Sequence, residues 1–336
     1  MGVKIVKADE AIGKKLAYDT TLVTKERAQV LYEKGTLITE DEVKRLKDSG
    51  VYYVYVNDEG EEEVYYEWEI SEAVCKKAID GRFLEYKVGK QGAVLVYSKV
   101  PGIVQVNREA LKVLNSSGTA LLISKASGTA VGSHELVAVI DSLPLYVEKE
   151  KFESTLKDLR LALTLQQFKY RRVGTVITGT EVYEGRKKDL YSDILSEKAR
   201  KYGWEIVSRE IVPDDEDKIS KAVEKSLENA DAVIITGGMS VDATDRTPAG
   251  IRKAGADVIA YGIPVKPTTM SLIAFKGEKI IFGISAGGIH YRDLNSIDII
   301  FTKLMAGWRP TKEDIALLGD GGLLPNFEPS SKLHSE

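Results

Sequence analysis

The chain has one cysteine, three histidines and no excess of positive charge. With a single cysteine, Cys75, it cannot form an internal disulfide, and this usage fits a reducing compartment. The net charge is −4 and the pI about 5.7, so the basic footprint of a nucleic-acid-binding protein is missing. No stretch reaches the roughly 18 consecutive apolar residues that a membrane span needs. The opening "MGVKIVKADEAIGKK" lacks the continuous apolar run of a signal peptide, and its sixth position offers no Ser or Thr for myristoylation. A cytoplasmic protein with no nucleic acid or membrane partner is therefore expected. The histidines carry little: His134 lies at a turn, His334 in the tail, and neither is given a role. His290 stands where it would reach a ligand phosphate, but a helix-start histidine with no role is the plainer reading.

What is present is ample for folding. Apolar residues make up 43% of 336, enough for two or three cores. Lys, Glu and Tyr are abundant, as in thermophile proteins. Residues 1–60 read as a small α+β domain: strand and turn at "ERAQVLYEKGTLIT", a helix capped by Thr39 and closed by Gly50, then the strand "VYYVYV". The acidic run at 57–63 reads as a solvated connector. A β-rich domain is expected over 61–150, with a helix near 70–80 and strands at "GAVLVYS", "GIVQVN", "TALLIS" and "LVAVIDSLPLYV". Residues 148–171 read as one charged amphipathic helix, with Leu156, Leu159 and Leu163 on its stripe, so that 151–171 connects to the last domain. The tail 316–336 is rich in Gly, Pro and Ser and is expected to lose order after about 325.

From 172 to 315 short apolar strands alternate with helices. That pattern predicts an α/β three-layer sandwich around a mostly parallel sheet. In such sheets ligands sit beyond the carboxyl ends of the strands, which singles out three loops. The first, "TGTEVYEGRKKD", holds Thr178, Gly179 and Glu181, with Asp189 positioned to cap the next helix. The second is "TGGMSVDATDRTP". Gly237 and Gly238 let backbone approach a ligand, and Ser240 can donate a hydrogen bond. Asp242 and Asp245 can hold Mg²⁺ together with a substrate phosphate, although Asp245 or Thr247 could instead cap the following helix. The third loop, "ISAGGIHYRD", contains Ser285, Gly287 and Gly288.

Taken together, T-G-x-E and T-G-G-x-S-x-x-x-x-D-x-T-P resemble the molybdopterin-binding domain of molybdenum-cofactor biosynthesis proteins of the MoeA/gephyrin and MogA/MoaB types. The resemblance covers roughly 172–315, and "YGIPVKP" is similar to the family's lysine-proline segment, placing Lys266 and Pro267 at the site. The N-terminal half looks like stand-alone MoeA-like proteins of anaerobes and archaea. The resemblance implies molybdopterin or adenylated molybdopterin as ligand, with molybdate or tungstate as a second substrate and Mg²⁺ as a helper ion. Asp245, Glu181 and Asp242 would carry the chemistry, and a homo-oligomer, dimer or trimer, is expected. Two departures stand out: "GISAGG" replaces the family's G-L-P-G loop, and "KPTTM" replaces K-P-G. Three uses follow in order: a metal insertase-like enzyme, a non-catalytic cofactor carrier or sensor, and a CinA-like hydrolase of nucleotide derivatives.

Overall fold

A computed structural model describes residues 2–23, 28–58, 64–89, 92–239 and 245–328. At the N-terminus, strand Gly2–Lys7 pairs antiparallel with Tyr53–Asp58. Helix Glu40–Asp48 lies between them in sequence. Its capping box is the one expected from "TEDE": the Thr39 N–H donates to Glu42 at 3.1 Å. Val43 and Leu46 from this helix pack with Val54 and Val56 in a small separate core.

The next stretch contains helix Glu67–Ala78, three residues earlier at its start than the sequence pattern indicated, and a four-stranded sheet. That sheet runs Leu84–Val88, Val94–Ser98, Leu136–Ser142, Ala120–Ser124, all antiparallel. Cys75 is fully buried in this core, and burial pushes its thiol up to about 12, which leaves it unreactive.

The single helix expected over 148–171 does not form. The helix covers only Lys149–Asp158. Leu163–Gln167 is instead a strand, paired antiparallel with Gly102–Val106. The alternation in "LTLQQ" explains the change. Leu163 and Leu165 are buried while Thr164 and Gln166 are more exposed, a period of two rather than 3.6. The leucine stripe seen in sequence mixed one helical leucine with residues of an extended segment.

The last part of the chain builds the sheet that positions the site. Its strands are β1 (Arg172–Thr178), β2 (Glu205–Val212), β3 (Ala232–Thr236), β4 (Asp257–Tyr261), β5 (Ser271–Lys276) and β6 (Lys279–Ile284). Their order is β2-β1-β3-β6-β5-β4. The first four in that order are parallel, and β5 and β4 continue the sheet antiparallel. Helices α1 (Tyr191–Tyr202), α2 (Glu216–Asn229) and α3 (Thr247–Lys253) connect the parallel strands. Successive residues of β3 serve opposite faces: Ala232 and Ile234 pack with α1 and residues 297–305, whereas Val233 and Ile235 pack with α2 and α3. The result is the three-layer sandwich. Strands buried on both faces must be apolar throughout, which is why "AVII" shows no polar alternation.

The β5–β6 hairpin turns on Gly277 at φ 58°, between the paired Lys276 and Lys279. Glycine is suited to this two-residue turn because an L side chain rarely takes that φ. The helical segment after β6 begins at Ser296 and carries one π-helical turn over Ile297–Phe301 before Thr302–Met305, and a short helix, Lys312–Leu317, follows. Residues 312–328 then pack back along the sheet. Lys266 N–H donates to Gly322 O at 2.7 Å, Leu324 N–H donates to Lys266 O at 2.8 Å, and Leu324 is buried. Among the described residues no helix is long and apolar enough to cross a membrane.

Candidate functional site

The chain leaves β1 through α1 to reach β2 on one side, then returns through α2 to β3 on the other side of β1. The connections diverge at the carboxyl ends of β1 and β3, which is where open α/β sheets leave a crevice. Thr178–Gly179, Thr236–Gly237 and Ile284–Ser285 occupy those strand ends.

Two threonines tie the first two loops into one wall. Thr178 Oγ1 donates to Thr236 O at 3.1 Å, Thr247 Oγ1 donates to Gly237 O at 3.0 Å, and the hydroxyls are 3.0 Å apart. Thr247 is therefore not a helix cap. The N-cap of α3 is Arg246, which makes no side-chain capping bond and whose guanidinium reaches Glu216 at 3.2 Å. Thr247→Val keeps the shape and removes a fully buried hydroxyl, leaving Gly237 O without it. A loss of about 1–3 kcal/mol in denaturant unfolding is expected, with Thr247→Ser losing less.

Glycine is required in this wall. A Cβ on Gly237, at φ 91°, would lie 2.3 Å from Thr178 O. One on Gly238, at φ 54°, would lie 2.6 Å from Thr247 Oγ1 and 3.4 Å from Asp214 Oδ1. Asp214, just past β2, closes the side of the crevice. It accepts from Thr180 N–H at 2.9 Å and from Thr180 Oγ1 at 3.1 Å.

The expected backbone cradle is only partly available. Gly237 N–H donates to Ile284 O at 3.2 Å, Gly179 N–H to Val212 O at 3.1 Å, and Gly288 N–H to Ser285 O at 3.1 Å. The first two are engaged by neighbouring strand ends and the third by a turn within its own loop, so none of them is a donor to a ligand. The Gly238 and Gly287 N–H groups have no acceptor among the described residues. A Cβ at Gly287 would meet only Ser285 Oγ, at 3.9 Å, so that position is open.

The third loop closes against α1 and the 266–270 segment. Tyr191 OH donates to Ser285 O. A Cβ on Gly288 would meet Tyr191 OH at 2.7 Å and the Thr268 methyl at 3.2 Å. Thr268 occupies the position of the glycine in K-P-G, and it still takes a glycine-like φ of 76°. For a β-branched residue that conformation costs about 1–3 kcal/mol. Its hydroxyl offsets part of this by donating to Ser296 Oγ at 2.8 Å. Pro267 follows a cis bond from Lys266, whose exposed ammonium lies 5.8 Å from the Phe327 ring. His290 is exposed.

The acidic groups are spread around the crevice. Glu181, on the short helix Thr180–Tyr183, pairs with Lys187 at 3.1 Å and is about half exposed. Asp189 serves the start of α1, accepting from Tyr191 N–H at 2.8 Å and Ser192 N–H at 3.2 Å. Asp245 is partly buried. Its charge contributes, after burial, to raising the Tyr261 phenol above its ordinary value, and that hydroxyl donates to Met239 O at 3.0 Å. Asp245 thus faces the end of the glycine loop. Ser240 and Asp242 lie outside the described residues. Among the described residues no group of three or more His, Cys, Asp or Glu gathers as a metal cage. Mg²⁺ that keeps its waters needs only one or two carboxylates with a substrate phosphate, and Asp245 is the one of the two aspartates that the structure describes.

Residues 174–289 match the family described as the probable molybdopterin binding domain. This stretch belongs to that family. Residues 5–58 match a domain of unknown function. Among curated proteins, the chain is 36% identical over 83 residues to a CinA-like protein of Syntrophus aciditrophicus. It is 28% identical over 120 residues to the molybdopterin molybdenumtransferase of Bacillus subtilis. It is 31% identical over 102 residues to a molybdopterin biosynthesis protein of Methanocaldococcus jannaschii. These matches take in 25%, 34% and 30% of this chain, and only 20%, 28% and 25% of the relatives' own lengths. The tungsten cofactor synthesizing protein MoaB from Pyrococcus furiosus is 20% identical, with 40% of this chain and 96% of that one aligned at a TM-score of 0.33. The fold assignment rests on the strand order, not on that likeness.

Of the residues singled out in sequence, Thr178, Gly179, Gly237, Gly238, Ser285, Gly287 and Gly288 lie on the three adjoining strand ends, and Lys266–Pro267 borders the third. Asp214, Thr247 as a tie and Tyr191 were missed. Asp214 had a signal, since "VPDDE" puts a carboxylate two residues past β2. Tyr191 had none, because its partner is 94 residues away.

Proposed function

We propose that this protein binds molybdopterin, or its adenylated form, in the crevice at the ends of β1, β3 and β6. Its role on this reading is MoeA-like, in molybdenum or tungsten cofactor biosynthesis, with molybdate or tungstate as the other substrate. The observation that carries the proposal is the contact between the two family motifs: Gly237 sits so close to Thr178 O that T-G-T-E and T-G-G form one surface. On that surface the Gly238 and Gly287 N–H groups donate to phosphate or pterin oxygens. Glu181, released from Lys187, accepts from the donor-rich pterin edge. Lys266 supplies a cation at the rim. Asp242 and Asp245 hold Mg²⁺, whose charge would stabilise an oxyanion at the phosphoanhydride.

Acid-iodine oxidation of protein incubated with molybdopterin should release a fluorescent pterin that co-purifies with the chain. Absence of bound pterin would sink the proposal. Asp245→Ala is expected to abolish metal-dependent cleavage of adenylated molybdopterin while leaving the fold intact, which far-UV circular dichroism checks. Unchanged turnover would remove the metal role. The carrier reading draws support from "GISAGG" and from the engaged Gly288 N–H, and it predicts pterin binding with no cleavage in the unaltered protein.

A further inference from the structure

A second cavity, which shares no lining residue with these loops, lies between the β-rich part and the end of the helical segment Ser296–Met305. Its volume is about 280 Å³, and its lining includes Gln105, Gly128, Gln166, Lys303, Gly307 and Trp308. The two parts meet there through backbone bonds. Lys169 and Tyr170 N–H donate to Met305 O at 2.9 and 3.0 Å, and Gln166 Nε2 donates to Ala306 O at 3.0 Å.

The chemistry of the lining is one-sided. Lys303 is partly buried, its stem packed against Gly128, where a Cβ would lie 3.5 Å from Lys303 Cε. Its ammonium lies 5.8 Å from the Trp308 ring. Among the described residues it has no carboxylate partner, and none of the cavity's lining residues is acidic. A buried ammonium is normally paired, because losing its hydration is costly. Consistent with this, burial alone lowers the Lys303 ammonium below the usual lysine range. The neighbouring amides add donors. Gln105 Nε2 gives one hydrogen to Gln166 Oε1 at 2.9 Å, and each amide keeps a second N–H. An ammonium, two amide N–H groups and an aromatic wall, with no acid among them, suit a small negatively charged ligand.

We propose that this cavity is a binding site for a small oxyanion, phosphate-like or carboxylate, with Lys303 as its cation and Gln105 and Gln166 as donors. The site is separate from the pterin crevice and does not depend on that reading. The volume admits a compact ligand, below the usual range for drug-sized molecules.

The test uses the full chain with inorganic phosphate and acetate as separate probes, read by calorimetry and by thermal unfolding. At least one probe should bind saturably in the millimolar range and raise the melting temperature, as any ligand of the native state does. The probe that binds identifies the class of oxyanion. Lys303→Met keeps the stem and removes the charge. It is expected to weaken that binding by roughly tenfold or more, the loss typical of one charge-assisted hydrogen bond. Without any anion, the same variant should melt no lower than the unaltered protein, since a partly buried charge with no carboxylate partner among the described residues has been removed. Gln105→Leu, at a surface-accessible position, should weaken binding by a smaller factor and guards against a folding defect in the first variant. A change in Trp308 emission on binding, absent in Trp308→Phe, locates the anion in this cavity. Failure of both probes to saturate overturns the proposal. So does equal affinity in Lys303→Met, which would assign the binding to another site.

Discussion

Gly237→Ala is expected to destabilise the protein by roughly 2–5 kcal/mol and to abolish pterin binding. Two costs add. An L residue at φ 91° meets the left-handed penalty, about 1–2 kcal/mol. The new methyl would also stand 2.3 Å from Thr178 O, a backbone atom that β1 holds in place. Relieving that clash means parting β1 from β3 at their carboxyl ends, an overpacking cost of about 1–3 kcal/mol. Gly185→Ala separates the two terms. Gly185 also has a positive φ, 73°, but nothing lies within 4 Å of its Cβ. It should show the conformational cost alone and retain ligand. Chemical denaturation of both variants, with pterin retention measured in parallel, checks the comparison. Equal losses would show that the contact between the loops is not tight.

Lys198→Met is expected to cost about 3–5 kcal/mol, read as a fall in melting temperature. Lys198 and Asp298 are both about 95% buried and meet at 2.7 Å. The ammonium also donates to Asp293 O at 3.0 Å. Asp298 accepts from Tyr202 OH at 2.6 Å and from Asn295 N–H at 2.9 Å. Desolvation, with Asp298 beside it, pushes the Tyr202 phenol well above its ordinary range, so it stays a donor. Removing the lysine strands a carboxylate where water cannot reach it. A double variant, Lys198→Met with Asp298→Leu, removes that stranded charge but leaves Tyr202 OH and Asn295 N–H without an acceptor. It should recover only part of the loss. Full recovery would mean that the phenol and the Asn295 cap contribute nothing. This cluster fixes α1 to the start of the helical segment Ser296–Met305, and α1 carries Tyr191 to the Ser285 loop.

Much of the parallel core was legible in the sequence because a strand buried on both faces must be a short, continuous apolar run. "RVGTVIT", "AVII" and "KIIFGI" have that form, and glycines or threonines punctuate their ends. The antiparallel pair β4–β5 was missed. "DVIAY" is an edge strand with no fully buried residue, so it lacks the signature of a strand covered on both faces, and only "KGEK" marked the hairpin after "SLIAFK". The 148–171 segment was misread because leucines at helical spacing also satisfied a strand that pairs with residues some 60 positions earlier.

The sequence by itself determined the sandwich, its strand-end loops and the family of residues 174–289. Periodicity and motif spacing are local properties, and they survive being read one residue at a time. Only the tertiary structure decided which groups in those loops are free. Gly237, Gly179 and Gly288 look like ligand donors in the sequence, yet their N–H groups are taken by Ile284, Val212 and Ser285. Thr247 looks like a cap and is a tie between strands. Lys303, which the sequence pattern did not single out, lines a cavity and has no carboxylate partner among the described residues. Apart from the local turn that engages Gly288, these outcomes depend on partners distant in sequence, because hydrogen-bond satisfaction and desolvation are set by what the folded chain brings into contact.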